Sequence, residues 1–161
     1  MNLEHEDKLY EALEQASELF QQDKEELLKR LTVTMQHDHT HGAMYTNFIV
    51  VYADPELGEM VKHIDSMTWE NVGEILKEGA NAQGILDYLT QRVFHHQVFL
   101  KDENGEWSDD TDGDGIGFHM EEMASVYNSN SFKLERFIPD WKEQVYQAVK
   151  EFYKGREAEF E

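Results

Sequence analysis

The spacing of apolar residues changes along the first part of the chain, and this change restricts the fold more than any other feature. In residues 3–31, Leu9, Leu13 and Ala16 recur at intervals of three and four, which predicts one long helix or two consecutive helices. The segment Met44–Tyr52 is rich in β-branched and aromatic residues and predicts a strand. Residues 31–36 alternate in part and are expected to pair with it, leaving residues 37–42 as a hairpin tip. Both helices and strands are therefore expected.

Turn and cap residues divide the rest of the chain into short elements. Asp54 and Pro55 predict a short helix over Pro55–Ile64, because proline is tolerated in a first helical turn. Thr68 and Asn81 are candidate N-caps, and each predicts a helix after it. Further helices are predicted over His119–Val126 and after Pro139. The dipeptide Asn104-Gly105 predicts a second hairpin with a type I′ turn. The helix after Asn81 is expected to run toward His95 and His96. The sequence thus predicts one acidic α+β domain over residues 1–161, mainly helical, with one or two β-hairpins.

The net charge restricts the kind of partner. The chain has 34 acidic and 14 basic residues, a formal charge of −20. This charge repels nucleic acids and anionic membranes and attracts basic proteins. A high acidic content also occurs in proteins only because it increases solubility. Many of the acidic residues in residues 3–31 can likewise be explained as an ordinary solvated helix face. The opening residues lack the basic and apolar regions of a secretory signal, so a cytoplasmic location is expected.

One short segment matches a calcium-binding pattern. Its acidic positions, which supply the oxygen ligands that Ca²⁺ prefers, are Asp110, Asp112, Asp114 and Glu121. Gly115 allows the sharp turn within the loop. Over these twelve residues the sequence resembles an EF-hand loop, although Asn104-Gly105 argues against an incoming helix and Gly117 replaces the usual aliphatic residue. A calcium-binding module is therefore one alternative, and a solvated acidic turn is the simpler interpretation.

Three histidines form a second candidate metal site. His37, His39 and His41 lie at alternate positions, so an extended backbone would place them on one face, where imidazoles can bind Zn²⁺ or Ni²⁺. A metal-dependent hydrolase is the second alternative, and exposed histidines at a hairpin tip are the simpler interpretation. The absence of cysteine excludes disulfides, thiolate ligands and cysteine nucleophiles. No nucleophile elbow, Walker loop or dinucleotide-binding motif is present, so the sequence indicates no enzyme class.

These observations favour a small acidic interaction or inhibitor protein. In this hypothesis carboxylates imitate nucleic-acid phosphates and occupy the basic site of a nucleic-acid-binding protein. Small acidic inhibitors carried by phages and mobile elements are similar in size and charge, which is a resemblance of composition only. The expected contact surface combines the first helix with the segment around the second hairpin: Glu11, Glu14, Glu18, Asp102, Glu103, Glu106 and Asp109. No cofactor is predicted apart from Ca²⁺ in the alternative above.

Overall fold

In the sequence, helices precede the first strand and follow the last strand. The computed structural model of the chain describes residues 2–40, 43–90, 93–109 and 133–156. Within them the elements follow in this order: α1 (Leu3–Gln22), α2 (Lys24–Lys29), β1 (Leu31–Thr40), β2 (Ala43–Asp54), β3 (Gly58–Thr68), α3 (Val72–Lys77), α4 (Ala82–Thr90), β4 (Val93–Lys101), β5 (Trp107–Asp109), a 3-10 turn (Leu134–Arg136) and α5 (Trp141–Tyr153).

Local capping explains why the N-terminal helical segment is two helices. The Asn2 side chain accepts the backbone N–H of His5 at 2.8 Å and begins α1. Asp23 interrupts the helix and accepts the N–H of Glu26 at 3.2 Å, which begins α2. The apolar stripe predicted for α1 is confirmed, since Leu9, Leu13 and Ala16 are all buried.

The strands form one five-stranded antiparallel sheet in the order β1-β2-β3-β4-β5. Side chains alternate between the two faces. On the inner face Val33, Val50 and His63 share one row and pack in the core, whereas Thr32 and Thr34 on the outer face are exposed. The prediction of a mainly helical domain with one or two hairpins is wrong, because this sheet is a principal part of the α+β structure.

The error arose at two segments that were assigned to helices. Asp54 does not open a helix: its carboxylate accepts the backbone N–H groups of Glu56 at 2.9 Å and Leu57 at 3.0 Å, forming a tight turn into β3. From Val61 onward β3 shows the two-residue burial alternation of a strand. Residues 93–96 likewise belong to β4, because α4 ends at Thr90.

Both predicted hairpins are present with different details. The first has longer strands than expected, so His37 and His39 lie in β1 and not in a tip. In the second, Gly105 has a φ of 78° and donates its N–H to the Asp102 carbonyl at 3.0 Å. Asn104 has no positive φ, so the connection is the three-residue type with a bulged glycine and not a type I′ turn.

The remaining helix predictions are largely confirmed. Asn71, not Thr68, precedes α3, and Asn81 accepts the N–H of Gly84 at 3.0 Å at the start of α4. Helix α5 buries Trp141, Val145 and Val149, as its spacing predicts. The predicted helix over residues 119–126 and the candidate calcium loop over 110–121 lie outside the described residues.

The core lies between the inner face of the sheet and the helices. Leu9 of α1 and Val149 of α5 belong to the same cluster of buried residues as Val33 and Val50. The rings of Phe48 and Trp141 meet edge to face with centroids 5.5 Å apart, which fixes α5 against β2. Among the described helices, none is both long enough and apolar enough to span a bilayer.

Candidate acidic interaction surface

A row of carboxylates follows the solvent side of α1. Its five members are spaced by three and four residues, which places them on one helix face. They are Glu4, Asp7, Glu11, Glu14 and Glu18. We call this row the acidic ridge. All five residues are exposed, and the face buried by Leu9, Leu13 and Ala16 lies on the opposite side of the helix. Packing therefore orients the whole ridge toward solvent.

The acidic ridge carries nearly the charge density of one nucleic-acid strand. With a helical rise of about 1.5 Å per residue, its five carboxylates extend over about 21 Å. One strand of B-DNA carries a phosphate about every 3.4 Å of axis, or about six over the same length. Within the described part of the chain, no ion pair neutralises a member of the ridge. The ridge thus presents to solvent a row of negative charges that no described residue neutralises.

The N-terminal end of the acidic ridge meets the turn between β4 and β5. The backbone N–H of Asn2 donates to Glu103 Oε2 at 3.4 Å across 101 positions of sequence. His5 Nε2 lies 2.6 Å from the carbonyl oxygen of Lys101, which fixes the helix against β4. A cavity of about 330 Å³ lies at this junction, and Glu59, Asp102 and Glu103 contribute to its lining. The two segments expected to form one contact surface are therefore adjacent.

The acidic residues of this turn have different roles. Asp102 accepts the backbone N–H groups of Asn104 at 2.8 Å and Glu106 at 2.9 Å. These bonds, that from Glu106 foremost, lower the pKa of the Asp102 carboxyl below its ordinary value. Asp102 thus holds the turn, while Glu103 and Glu106 are exposed and able to contact a partner. Asp109 is placed in β5, where its backbone pairs with Phe99.

The described histidines of the candidate metal site have packing roles. His37 Nδ1 lies 3.1 Å from Thr46 Oγ1, and its ring is 5.6 Å from that of Trp69. The His39 ring lies 5.6 Å from the ring of Phe152. Burial lowers the pKa of His37, and the nearby Asp38 charge opposes this effect in part. No cluster of three or more potential metal ligands occurs in residues 2–40, 43–90, 93–109 and 133–156. His41 lies outside these ranges.

A groove with basic residues lies on another part of the molecule. Its volume is about 660 Å³, and Lys77, Lys150 and Lys154 line it together with Tyr146 and Tyr153. The lysines lie at the C-terminal ends of α3 and α5, where positive charge stabilises the helix dipole. Their positions are explained by the helices themselves, so the groove is a weaker candidate than the ridge.

Two buried polar residues of β3 were not predicted from the sequence. His63 is 1% exposed and Asp65 is 5% exposed, and His63 Nε2 lies 4.0 Å from Asp65 Oδ1. Both project from the inner face, between Val61 and Met67. The signal was the two-residue alternation of β3, which the assignment of a helix after Pro55 concealed.

No protein-family model matches this sequence, and neither a curated protein nor a solved structure matches it. The functional interpretation therefore depends on the residues and their geometry.

Proposed function

We propose that the chain is an acidic interaction protein whose ridge occupies the basic nucleic-acid-binding site of a partner protein. One observation carries this proposal: five exposed carboxylates on α1, with no ion-pair partner among the described residues, approach the linear charge density of a nucleic-acid strand. A partner that binds phosphates with lysine and arginine would find similar charges at similar intervals. In this proposal the protein acts in the cytoplasm as an inhibitor of the kind carried by phages or mobile elements.

The junction with the β4–β5 turn supports a surface larger than one helix. Glu103 and Glu106 continue the negative charge beyond the start of α1, and Glu59 adds a third carboxylate beside the cavity. A rigid arrangement matters because a pre-ordered surface loses little conformational entropy on binding. The bonds of Asn2 and His5 across the junction supply this rigidity.

The proposal is tested by affinity capture from a cell lysate at low salt, followed by elution at high salt and mass spectrometry. We expect recovery of a basic nucleic-acid-binding protein whose binding weakens steeply with salt, because both charged surfaces release counterions. Duplex DNA or structured RNA should then compete with this protein for the purified partner. A partner that binds nucleic acid and the acidic protein simultaneously would contradict the proposal.

Matched variants separate the ridge from the overall charge. The ridge variant combines Glu11→Gln, Glu14→Gln and Glu18→Gln. The control neutralises three exposed carboxylates in or directly after other helices, namely Glu74→Gln, Glu78→Gln and Glu143→Gln. Both change the net charge equally. We expect the ridge variant to weaken binding by about tenfold or more and to reduce its salt dependence, with a much smaller effect of the control. Equal losses in the two variants would exclude the ridge as the contact surface.

A further inference from the structure

The groove between α3 and α5 has walls that the fold itself holds in place. On the α3 side, Gly79 has a φ of 84°, and its N–H donates to the Leu76 carbonyl at 3.1 Å, which ends the helix. On the α5 side, the Tyr153 hydroxyl donates to the Trp69 carbonyl at 2.9 Å, which fixes the tyrosine ring against the core. Small-molecule sites are largely pre-formed and enclose about 300–1,000 Å³. The groove, with about 660 Å³, has this size and this rigidity.

The charge of the groove is opposite to that of the whole chain. Its lining includes Lys77, Lys150 and Lys154. Among the described lining residues Glu151 is the one carboxylate, so the net charge of the lining is +2 in a chain of −20. Within the described part of the chain none of the three lysines forms an ion pair, although acidic residues outnumber basic ones by 34 to 14. Exposed charges farther away than about 8 Å are largely screened at physiological ionic strength, so the local cations determine which ions enter.

The helix dipoles favour lysine at each helix end taken singly, but they do not require the lysines of two helices to meet at one cavity. The end of α3 is already capped by backbone groups, since the Ile75 carbonyl accepts the Ala80 N–H at 3.3 Å. Lys77 is therefore not needed as a cap. On α5, Lys150 Nζ lies 5.0 Å from the centroid of the Tyr146 ring, and this cation–π contact keeps its charge at the wall of the groove.

We propose that the groove binds a phosphate monoester that carries a planar aromatic group, as nucleoside monophosphates do. Lysine binds phosphate as a point charge, and a phosphate monoester carries about −1.5 to −2 charges at pH 7, nearly the opposite of the charge of the lining. The volume is that of a site for a whole small molecule and not for a single ion. Much of the remaining lining is aromatic or apolar, and it suits a flat organic group: Leu76, Ala80, Tyr146 and Tyr153.

Nuclear magnetic resonance titration of the full chain tests the proposal and locates the ligand. The backbone N–H signals of isotope-labelled protein are followed while AMP, GMP, CMP or UMP is added. We expect saturable shifts at Gly73, Gly79 and Gln147 with at least one of the four nucleotides. Ribose phosphate, which lacks the base, and the corresponding nucleoside, which lacks the phosphate, should each bind about tenfold or more weakly.

Three results of this titration would overturn the proposal. The first is the absence of saturable shifts with all four nucleotides at millimolar concentrations. The second is a set of shifts confined to residues outside the groove. The third is an equal affinity for ribose phosphate or for the nucleoside, because either the base or the phosphate would then contribute nothing. None of these results bears on the acidic ridge, since the ridge and the groove share no residue.

Matched variants separate the groove from the overall charge. The groove variant combines Lys150→Gln and Lys154→Gln. The control combines Lys8→Gln and Lys133→Gln, which lie outside the groove. All four lysines are exposed, so both variants should fold, as unchanged N–H signals away from the substitutions would verify. We expect the groove variant to weaken nucleotide binding by about tenfold or more, and the control by less than about twofold. Equal losses in the two variants would show that the nucleotide responds only to net charge and would overturn the proposal.

Discussion

A hydrogen bond between β2 and the segment after β3 provides a strong test of the structure. Thr46 is fully buried, and its Oγ1 accepts the Nε1–H of Trp69 at 2.8 Å. The same hydroxyl lies 3.1 Å from His37 Nδ1, to which it donates when that nitrogen is unprotonated. Indole N–H groups only donate, so Trp69 depends on this acceptor. Replacement of Thr46 by valine keeps the shape of the side chain and removes both interactions.

The expected loss of stability follows from these partners. Leaving the buried Trp69 N–H without an acceptor costs about 1–3 kcal/mol, and loss of the partly buried His37 contact adds about 0.5–1.5 kcal/mol. We therefore expect Thr46→Val to lower the free energy of unfolding by about 1.5–4.5 kcal/mol. With a urea dependence of about 2 kcal/mol/M, the unfolding midpoint falls by about 1–2 M.

Urea unfolding followed by far-ultraviolet circular dichroism measures this change. Thr46→Ser is the matched control, because it retains the hydroxyl and loses one methyl group, with an expected cost of about 1 kcal/mol. In a double-mutant cycle, Trp69→Phe should reduce the cost of Thr46→Val by the part that belongs to the shared hydrogen bond. The Thr46–Trp69 hydrogen bond does not stabilise the fold if valine destabilises no more than serine, or if the cycle gives no coupling between Thr46 and Trp69.

Two further predictions concern titratable residues, the partly buried His37 and the buried Asp65. Burial lowers the pKa of His37 below its ordinary 6.5, so just below pH 6.5 the unfolded chain binds more protons than the folded chain. The free energy of unfolding should therefore fall as the pH decreases through 6.5, and it should level off below the folded-state pKa of His37. Urea titrations should show a weaker pH dependence in His37→Gln, and an unchanged slope would contradict this assignment. Asp65→Ala should cost about 2–4 kcal/mol in the same assay, because it leaves the His63 imidazole buried beside an apolar side chain. The exposed change Asp7→Ala should stay within about 0.5 kcal/mol, and a similar small effect of Asp65→Ala would show that the buried pair does not stabilise the fold.

Part of the candidate surface could be predicted from local sequence. The spacing of Glu11, Glu14 and Glu18 places them on one helix face, and the apolar stripe on the opposite side identifies that face as exposed. The position of Glu103 beside the N-terminal end of α1 could not be predicted, because it depends on contacts between residues about a hundred positions apart. The metal-site hypothesis shows a similar limit. The alternation of side chains places His37 and His39 on one face of a strand. Only the tertiary structure shows that the His37 ring contacts Trp69 and the His39 ring contacts Phe152.

The sequence by itself determined the elements that depend on neighbours along the chain. Side chains three and four positions apart and the cap at Asn81 act within one or two helical turns, so they can be predicted from the local sequence. Only the tertiary structure determined the sheet. Strand β3 contains His63 and Asp65 among its inward residues, and its identity as a strand depends on hydrogen bonds to β2 and β4. Such pairing joins segments distant in sequence, and therefore the register and the buried polar pair were decided by the assembled fold.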